Sequence, residues 1–142
     1  MPYTRISLPE GQSPEYIAAL SDGLHRALVE AFDVPPDDRF QLFEPRPPHQ
    51  RVFDRHYLGG PRSDDWLLVT VTAGRPRTAE AKAAFYRALV QHWAASPGVA
   101  PADVMIVIQT TQPEDWSFSD GRAWSAEGAQ AASAAAALAR GA

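Results

Sequence analysis

The sequence predicts an α+β (α/β) fold: a tandem β-α-β pseudo-repeat whose four strands form one mixed sheet with two helices on one face. Three observations carry this. Short apolar runs rich in β-branched residues alternate with longer stretches of helical period. Each helical stretch opens on a hydroxyl residue and is stopped by proline. The first half of the chain also maps onto the second, without gaps, at a shift of 65 residues.

The elements follow in order. Tyr3-Thr4-Arg5-Ile6-Ser7-Leu8 alternates as a half-buried strand does, with Thr4, Ile6 and Leu8 on the buried face. Pro9-Glu10-Gly11-Gln12 turns the chain. Ser13-Pro14-Glu15 then opens a helix, because serine accepts from free N–H groups, proline fits the first turn and glutamate suits the positive end of the dipole. Ile17, Leu20, Leu24, Ala27, Leu28 and Ala31 form its apolar stripe up to Phe32, and Val34-Pro35-Pro36 ends it. Asp37-Asp38-Arg39 leads into a second strand, Phe40 to Phe43. Residues 45–65 are rich in Pro, Arg, Gly and His and read as a long loop, with a possible short strand from Phe53 to Tyr57. Trp66 to Thr72 is almost continuously apolar and β-branched, as in a strand buried on both faces. After Ala73-Gly74-Arg75-Pro76-Arg77, Thr78 caps a second helix with the stripe Ala81, Ala84, Phe85, Ala88, Leu89 and Trp93, stopped by Ser96-Pro97-Gly98. Val104 to Ile108 is the fourth strand. Asp115-Trp116-Ser117-Phe118 sets two large aromatics in a polar loop, and the stretch from Ala126 is mostly alanine, a frayed helix or a disordered tail.

The repeat sets Ser13 on Thr78, Leu20 on Phe85, Leu24 on Leu89, Leu28 on Trp93, and Val34-x-Pro36-x-Asp38 on Val99-x-Pro101-x-Asp103. Each crossover should be right-handed between parallel strands. One sheet face then lacks a cover, which predicts oligomerisation.

Composition narrows the function. The 142 residues suit one domain, with 45% apolar residues and no cysteine. That excludes disulfides, a thiolate nucleophile and cysteine-held zinc or iron–sulfur. A net charge of -4 argues against nucleic acid, and no run is apolar and long enough for a membrane span, so a cytoplasmic protein is expected. The cations are twelve arginines and the single Lys82, which fits either biased coding composition or carboxylate recognition by guanidinium forks. No nucleophile elbow or phosphate loop is present. His25 and His92 flank helix stripes and read as partly exposed structural residues. His49 and His56 lie in the long loop, and no histidine has metal-ligand spacing.

Pro2 is the candidate centre. Removal of the initiator methionine would leave a secondary amine at the chain's start, and an ordinary α-amino group titrates near about 7.7–8.0, within reach of acid or base work at neutral pH. In a unit with parallel strands, the start of strand one and the residue before strand two share one end of the sheet, so Pro2 falls near Asp38-Arg39. Arg75 and Arg77 follow the third strand, stiffened by Pro76; each could equally sit in a solvated loop. Asp38 could equally be a helix-stop residue, as its repeat partner Asp103 shows.

The Met-Pro start, the doubled β-α-β unit, Val29 to Gln41, Arg75-Pro76-Arg77, and Asp115-Trp116-Ser117-Phe118 with Gly121-Arg122-Ala123 resemble the tautomerase superfamily, and within it the malonate semialdehyde decarboxylase group. The resemblance runs from Pro2 to about Ala123. It implies a tautomerase/MIF-like domain over 1–124, with units at about 2–44 and 66–109, followed by an alanine-rich tail over 125–142. It also implies a homotrimer, a small carboxylate substrate, and no metal or organic cofactor. Pro2, Asp38, Arg75 and Arg77 match the group's catalytic set, the two arginines as carboxylate binders; Trp116 and Phe118 match its apolar wall. Three functions stand on this: decarboxylation of a small 3-oxo acid, keto–enol tautomerisation or hydration of 2-oxo acids resembling phenylenolpyruvate, and binding without catalysis.

Overall fold

A computed structural model describes residues 1–141. The chain runs β1 (Pro2–Pro9), α1 (Pro14–Phe32), β2 (Gln41–Arg46), β3 (Leu67–Ala73), α2 (Ala79–Ala95), β4 (Val104–Thr110) and α3 (Ala126–Gly141). The strands form one sheet in the order β2-β1-β3-β4. β1 runs parallel to β2 and β3 parallel to β4, while β1 and β3 meet antiparallel at the centre. The two β-α-β units are thus back to back, and each unit's first strand begins at the opposite end of the sheet from the other's.

The caps form as their chemistry requires. Ser13 accepts from Tyr16 N–H and Thr78 from Ala81 N–H, both at 3.1 Å. α1 closes before its prolines: Asp33 takes a left-handed conformation, φ 54°, and its N–H bonds Leu28 O. β2 begins at Gln41 rather than Phe40 and continues through Pro45, which an edge strand tolerates.

Ile6, Leu8, Val69 and Val71 pack beneath Leu20, Leu24, Phe32, Phe85, Leu89 and Trp93, so both helices cover the same sheet face. Phe32 and Phe85 lie 4.9 Å apart, a pair worth about 0.5–1.5 kcal/mol beyond its burial. Trp93 reaches across to donate to Leu20 O at 3.0 Å. Gly23 makes that approach possible, since a Cβ there would stand 2.8 Å from the indole.

Three expectations are corrected. β3 is buried on one face only and half-buried on the other, because no helix covers the second face of the sheet. Leu42, Met105 and Val107 are exposed there. Phe53 to Tyr57 is not a strand; the segment after β2 holds only a 3-10 turn at Pro48–Gln50. Instead, Phe53 stacks on Trp66 at 4.6 Å, and Arg51 lies over both rings while donating to the carbonyls of Asp64 and Trp66. Finally, His25 is buried rather than partly exposed, because its ring bonds a backbone carbonyl inside the fold.

Candidate active site

Pro2 is the first residue of β1 and is buried. Its register partner is Ala73, the last residue of β3. The antiparallel β1–β3 contact therefore brings the chain's start against Gly74-Arg75-Pro76-Arg77. Gly74 N–H donates to Met1 O at 2.9 Å, and a Cβ on Gly74 would collide with Met1, so glycine is what lets the N-terminus lie here. The parallel β1–β2 contact brings in the segment before β2, and Asp38 Oδ2 lies 2.5 Å from the N-terminal nitrogen. Two bonded atoms separate that nitrogen from Pro2 N, so the carboxylate is within about 6 Å of the proline nitrogen.

Arg75 and Arg77 converge on one atom. Both donate to Phe32 O, at 3.2 and 3.3 Å, where the carbonyls at the end of α1 present the negative pole of its dipole. They are not equivalent. Arg77 is half-buried over the Phe32 ring at 4.9 Å and donates a second bond to Arg75 O at 2.8 Å. Burial and the neighbouring Arg75 push its pKa down from the ordinary arginine value, while Asp38 opposes them. Arg75 is exposed and spends one nitrogen on Phe32 O, which leaves the rest of its fork open to a ligand.

The aromatic wall is tied to the same end of the sheet. Thr111 N–H and Oγ1 both donate to Ala73 O, at 2.9 and 3.0 Å, and Thr111 Oγ1 accepts from Trp116 Nε1 at 2.6 Å. Phe118 stacks on Trp116 at 5.3 Å and 14°. Phe40, read from sequence only as a strand residue, adds a third ring 6.4 Å from Phe118, and its carbonyl accepts from Thr4 N–H. Its position two residues after Asp38 was the available signal. Thr111 carried none.

All six residues singled out from sequence thus gather around the β1 start and the β3 end. His49, His56 and His92 do not join them. His92 meets Glu30 at 3.0 Å, and His49 and His56 are exposed in the loop. Among the described residues no three His, Cys, Asp or Glu side chains cluster as metal ligands would. A cavity of about 540 Å³ lies at the far end of the sheet, between Pro9, Arg46, Arg51 and Phe53. Arg51 and Arg55 there are engaged in holding the loop, through the Asp64 and Trp66 carbonyls and the Asp64 carboxylate.

The second repeat serves as an internal control. Its counterpart of Asp38, Asp103, is buried and accepts from Ser63 N–H and Oγ, each at 2.6 Å. The counterparts of Arg75 and Arg77 are Glu10 and Gln12, and that of Pro2 is Leu67 inside the chain. Among the described residues, the first end combines the Met1 nitrogen, a carboxylate and two guanidinium groups, and the second end does not.

A four-stranded mixed sheet of doubled β-α-β units, with such a constellation at the first strand's start, fits the tautomerase-like fold expected from the sequence. Comparison with known proteins agrees with it. A family model described as tautomerase enzyme matches residues 38–119, and a second of the same description matches residues 2–58. The chain belongs to this tautomerase family and is a tautomerase-superfamily enzyme, which sets aside binding without catalysis. It is 35% identical over 123 residues to the probable tautomerase YusQ of Bacillus subtilis (strain 168), covering 87% of this chain and 97% of that protein. A second probable tautomerase of that organism, YrdN, is 34% identical, over 87% of this chain and 95% of its own length. Among solved structures, a malonate semialdehyde decarboxylase is 36% identical with a TM-score of 0.80, over 85% of this chain and 93% of that one. A symmetric trimer of fused 4-OT, at 23% identity and a TM-score of 0.70, over 85% and 94%, shares the fold. Among the described residues no helix is long and apolar enough to cross a membrane.

Proposed function

We propose that this enzyme decarboxylates a small 3-oxo acid resembling malonate semialdehyde, without a metal or organic cofactor, through the secondary amine of Pro2 after Met1 is removed. The observation that carries the proposal is the carboxylate of Asp38, 2.5 Å from the Met1 nitrogen and so within about 6 Å of the Pro2 nitrogen that the loss of Met1 would free, with Arg75 and Arg77 on the adjoining β3 end. Asp38 sets a carboxylate beside the amine. The open fork of Arg75 takes the substrate carboxylate, and Arg77 supplies a fixed positive charge behind it. Protonated Pro2 hydrogen-bonds the 3-oxo oxygen. The C1–C2 bond breaks, its electron pair enters the C2–C3–O system, and carbon dioxide leaves; the ammonium stabilises the enolate. A proton then returns to C2 and acetaldehyde results. An iminium formed between the amine and the aldehyde would accept the same electron pair. Trp116 and Phe118 exclude water and strengthen these charges. Likeness to malonate semialdehyde decarboxylase at 36% identity favours this chemistry.

A second reading has its own support, since both curated relatives are probable tautomerases. If the amine is mostly neutral, it moves a proton from a 2-hydroxyl to C3 of an enol such as phenylenolpyruvate, and the related addition of water to activated acetylenic acids uses the same groups. Proton NMR of the protein with 3-oxopropanoate and, separately, with phenylenolpyruvate separates the two. Acetaldehyde from the first supports decarboxylation; turnover of the second alone supports tautomerisation. The uncovered sheet face, with Leu42, Met105 and Val107 exposed, supports a homotrimer that buries it.

A further inference from the structure

We infer that His25 is the positioning residue for Asp38: from inside the fold it donates to the Pro36 carbonyl and so holds the segment that presents the carboxylate to the N-terminal nitrogen. The inference rests on the site described above, and it concerns a residue that touches neither substrate nor amine.

His25 lies in the middle of α1, 5% exposed, with Nε2 2.7 Å from Pro36 O. A carbonyl only accepts, so Nε2 carries the proton. Nδ1 is buried and has no partner among the described residues. An orphaned buried polar atom costs about 1–3 kcal/mol, which an aliphatic side chain would avoid. The second repeat uses such a side chain: the counterpart of His25 is Val90. Stability alone therefore does not call for an imidazole here.

The segment it holds explains the need. Pro35 and Pro36 have no N–H, so this stretch cannot tie itself down with its own donors. Its internal bond is the turn Asp38 N–H to Pro35 O, 2.9 Å. Arg39 bonds Ser21 Oγ and Asp22 Oδ1 on α1 from the exposed side, and the donor from His25 fixes the turn itself to α1 from the buried side. In the second repeat the equivalent Asp103 is fastened directly by Ser63, and no such anchor is needed. Asp38 must keep its carboxylate free for the amine, so its backbone is fastened instead. The charged groups around this segment are Arg77, which feels Asp38, Arg75 beside it, Asp37, paired with Arg140 at 3.0 Å, and Arg39, paired with Asp22 at 2.8 Å. Both hang from α1 at Phe32 O, independently of Pro36.

The test uses His25→Leu, His25→Gln and Asp38→Asn. NMR titration of the N-terminal amine without substrate is read beside kcat, KM and thermal unfolding. Leucine should fold with an unchanged or higher Tm and lower the titration midpoint of the amine, in the same direction as Asp38→Asn and by less. It should lower kcat about tenfold with KM for the carboxylate substrate within about twofold, because the arginines stay in place. Glutamine, whose amide N–H can reach the Pro36 carbonyl, should restore most of both. An unchanged titration in His25→Leu overturns the inference, as does a glutamine variant no better than leucine. If leucine prevents folding, His25→Met, which cannot donate either, takes its place in the same comparison with glutamine. The titration needs no turnover, so it succeeds or fails separately from the reaction assigned to the site.

Discussion

The carboxylates of Asp38 and Asp103 hold the same place in the two β-α-β units, yet Asp103 accepts two 2.6 Å bonds from Ser63 while Asp38 Oδ2 faces the N-terminal nitrogen at 2.5 Å. One position in the repeat thus serves as a buried structural clasp at one end of the sheet and as a free charge at the other. The difference lies in what opposes it: an internal loop residue, or the start of the chain. The site that this asymmetry selects makes three predictions, and an ion pair on the open sheet face makes a fourth.

Replacing Pro2 with Ala substitutes a primary amine of different geometry for the rigid secondary one. Turnover should fall at least about a hundredfold, with circular dichroism and oligomer size unchanged. Steady-state kinetics on protein shown by mass spectrometry to lack Met1 checks this, and wild-type rates would reject the mechanism.

Arg75 and Arg77 should separate. Arg75→Ala removes an exposed, open fork and should raise KM about tenfold or more with little change in Tm. Arg77→Ala also removes a half-buried guanidinium stacked on Phe32, so it should lower stability by about 1–3 kcal/mol as well as weaken binding. Lysine should not restore either, since an ammonium lacks the planar fork. Equal effects of the two alanine variants on Tm would contradict this division of labour.

Phe40 forms the outer end of the aromatic row. Phe40→Ala should reduce kcat/KM for phenylenolpyruvate about tenfold while changing that for 3-oxopropanoate less than about threefold, because only the larger substrate extends along the wall. A parallel loss on both substrates would mean that Phe40 acts through the fold instead.

Glu44 gives a pH signature. Arg5 bonds both of its oxygens, at 2.7 and 3.0 Å, and holds its carboxyl below the usual glutamate range. The folded value lies under the unfolded one, so the pair's contribution is complete above the ordinary range near about pH 4.3 and is lost as pH falls through the lower folded value. Both groups face water in the single chain, so Glu44→Gln should lower Tm at pH 7 by about 2 °C at most and have no effect near pH 2. A markedly larger loss in calorimetry would show that the pair is buried between copies.

Much of this was legible in the sequence because it is local or periodic. Ser13 and Thr78 read as caps since a hydroxyl before a helix has one common use. The stripes through Leu24 and Leu89 read as core because spacing alone sets which face they share. The doubled unit placed Pro2 near Asp38, since parallel strands bring their starts to one end. The extent of β3's burial was misread because a single chain has no helix on that side of the sheet, which apolar content does not reveal.

What only the tertiary structure decided is the set of contacts across long separations. The antiparallel meeting of β1 and β3 sets Ala73 beside Pro2, and from Ala73 the bonds run to Thr111 and Trp116. The carbonyl of Phe32 divides the labour of two arginines more than forty residues away. His25 looked like a residue at a stripe's edge until its ring met Pro36. Helical and strand periods report which way a side chain faces, and caps report where an element starts. Neither reports what lies opposite, because that depends on how separate elements are stacked, and only packing of the whole chain determines it.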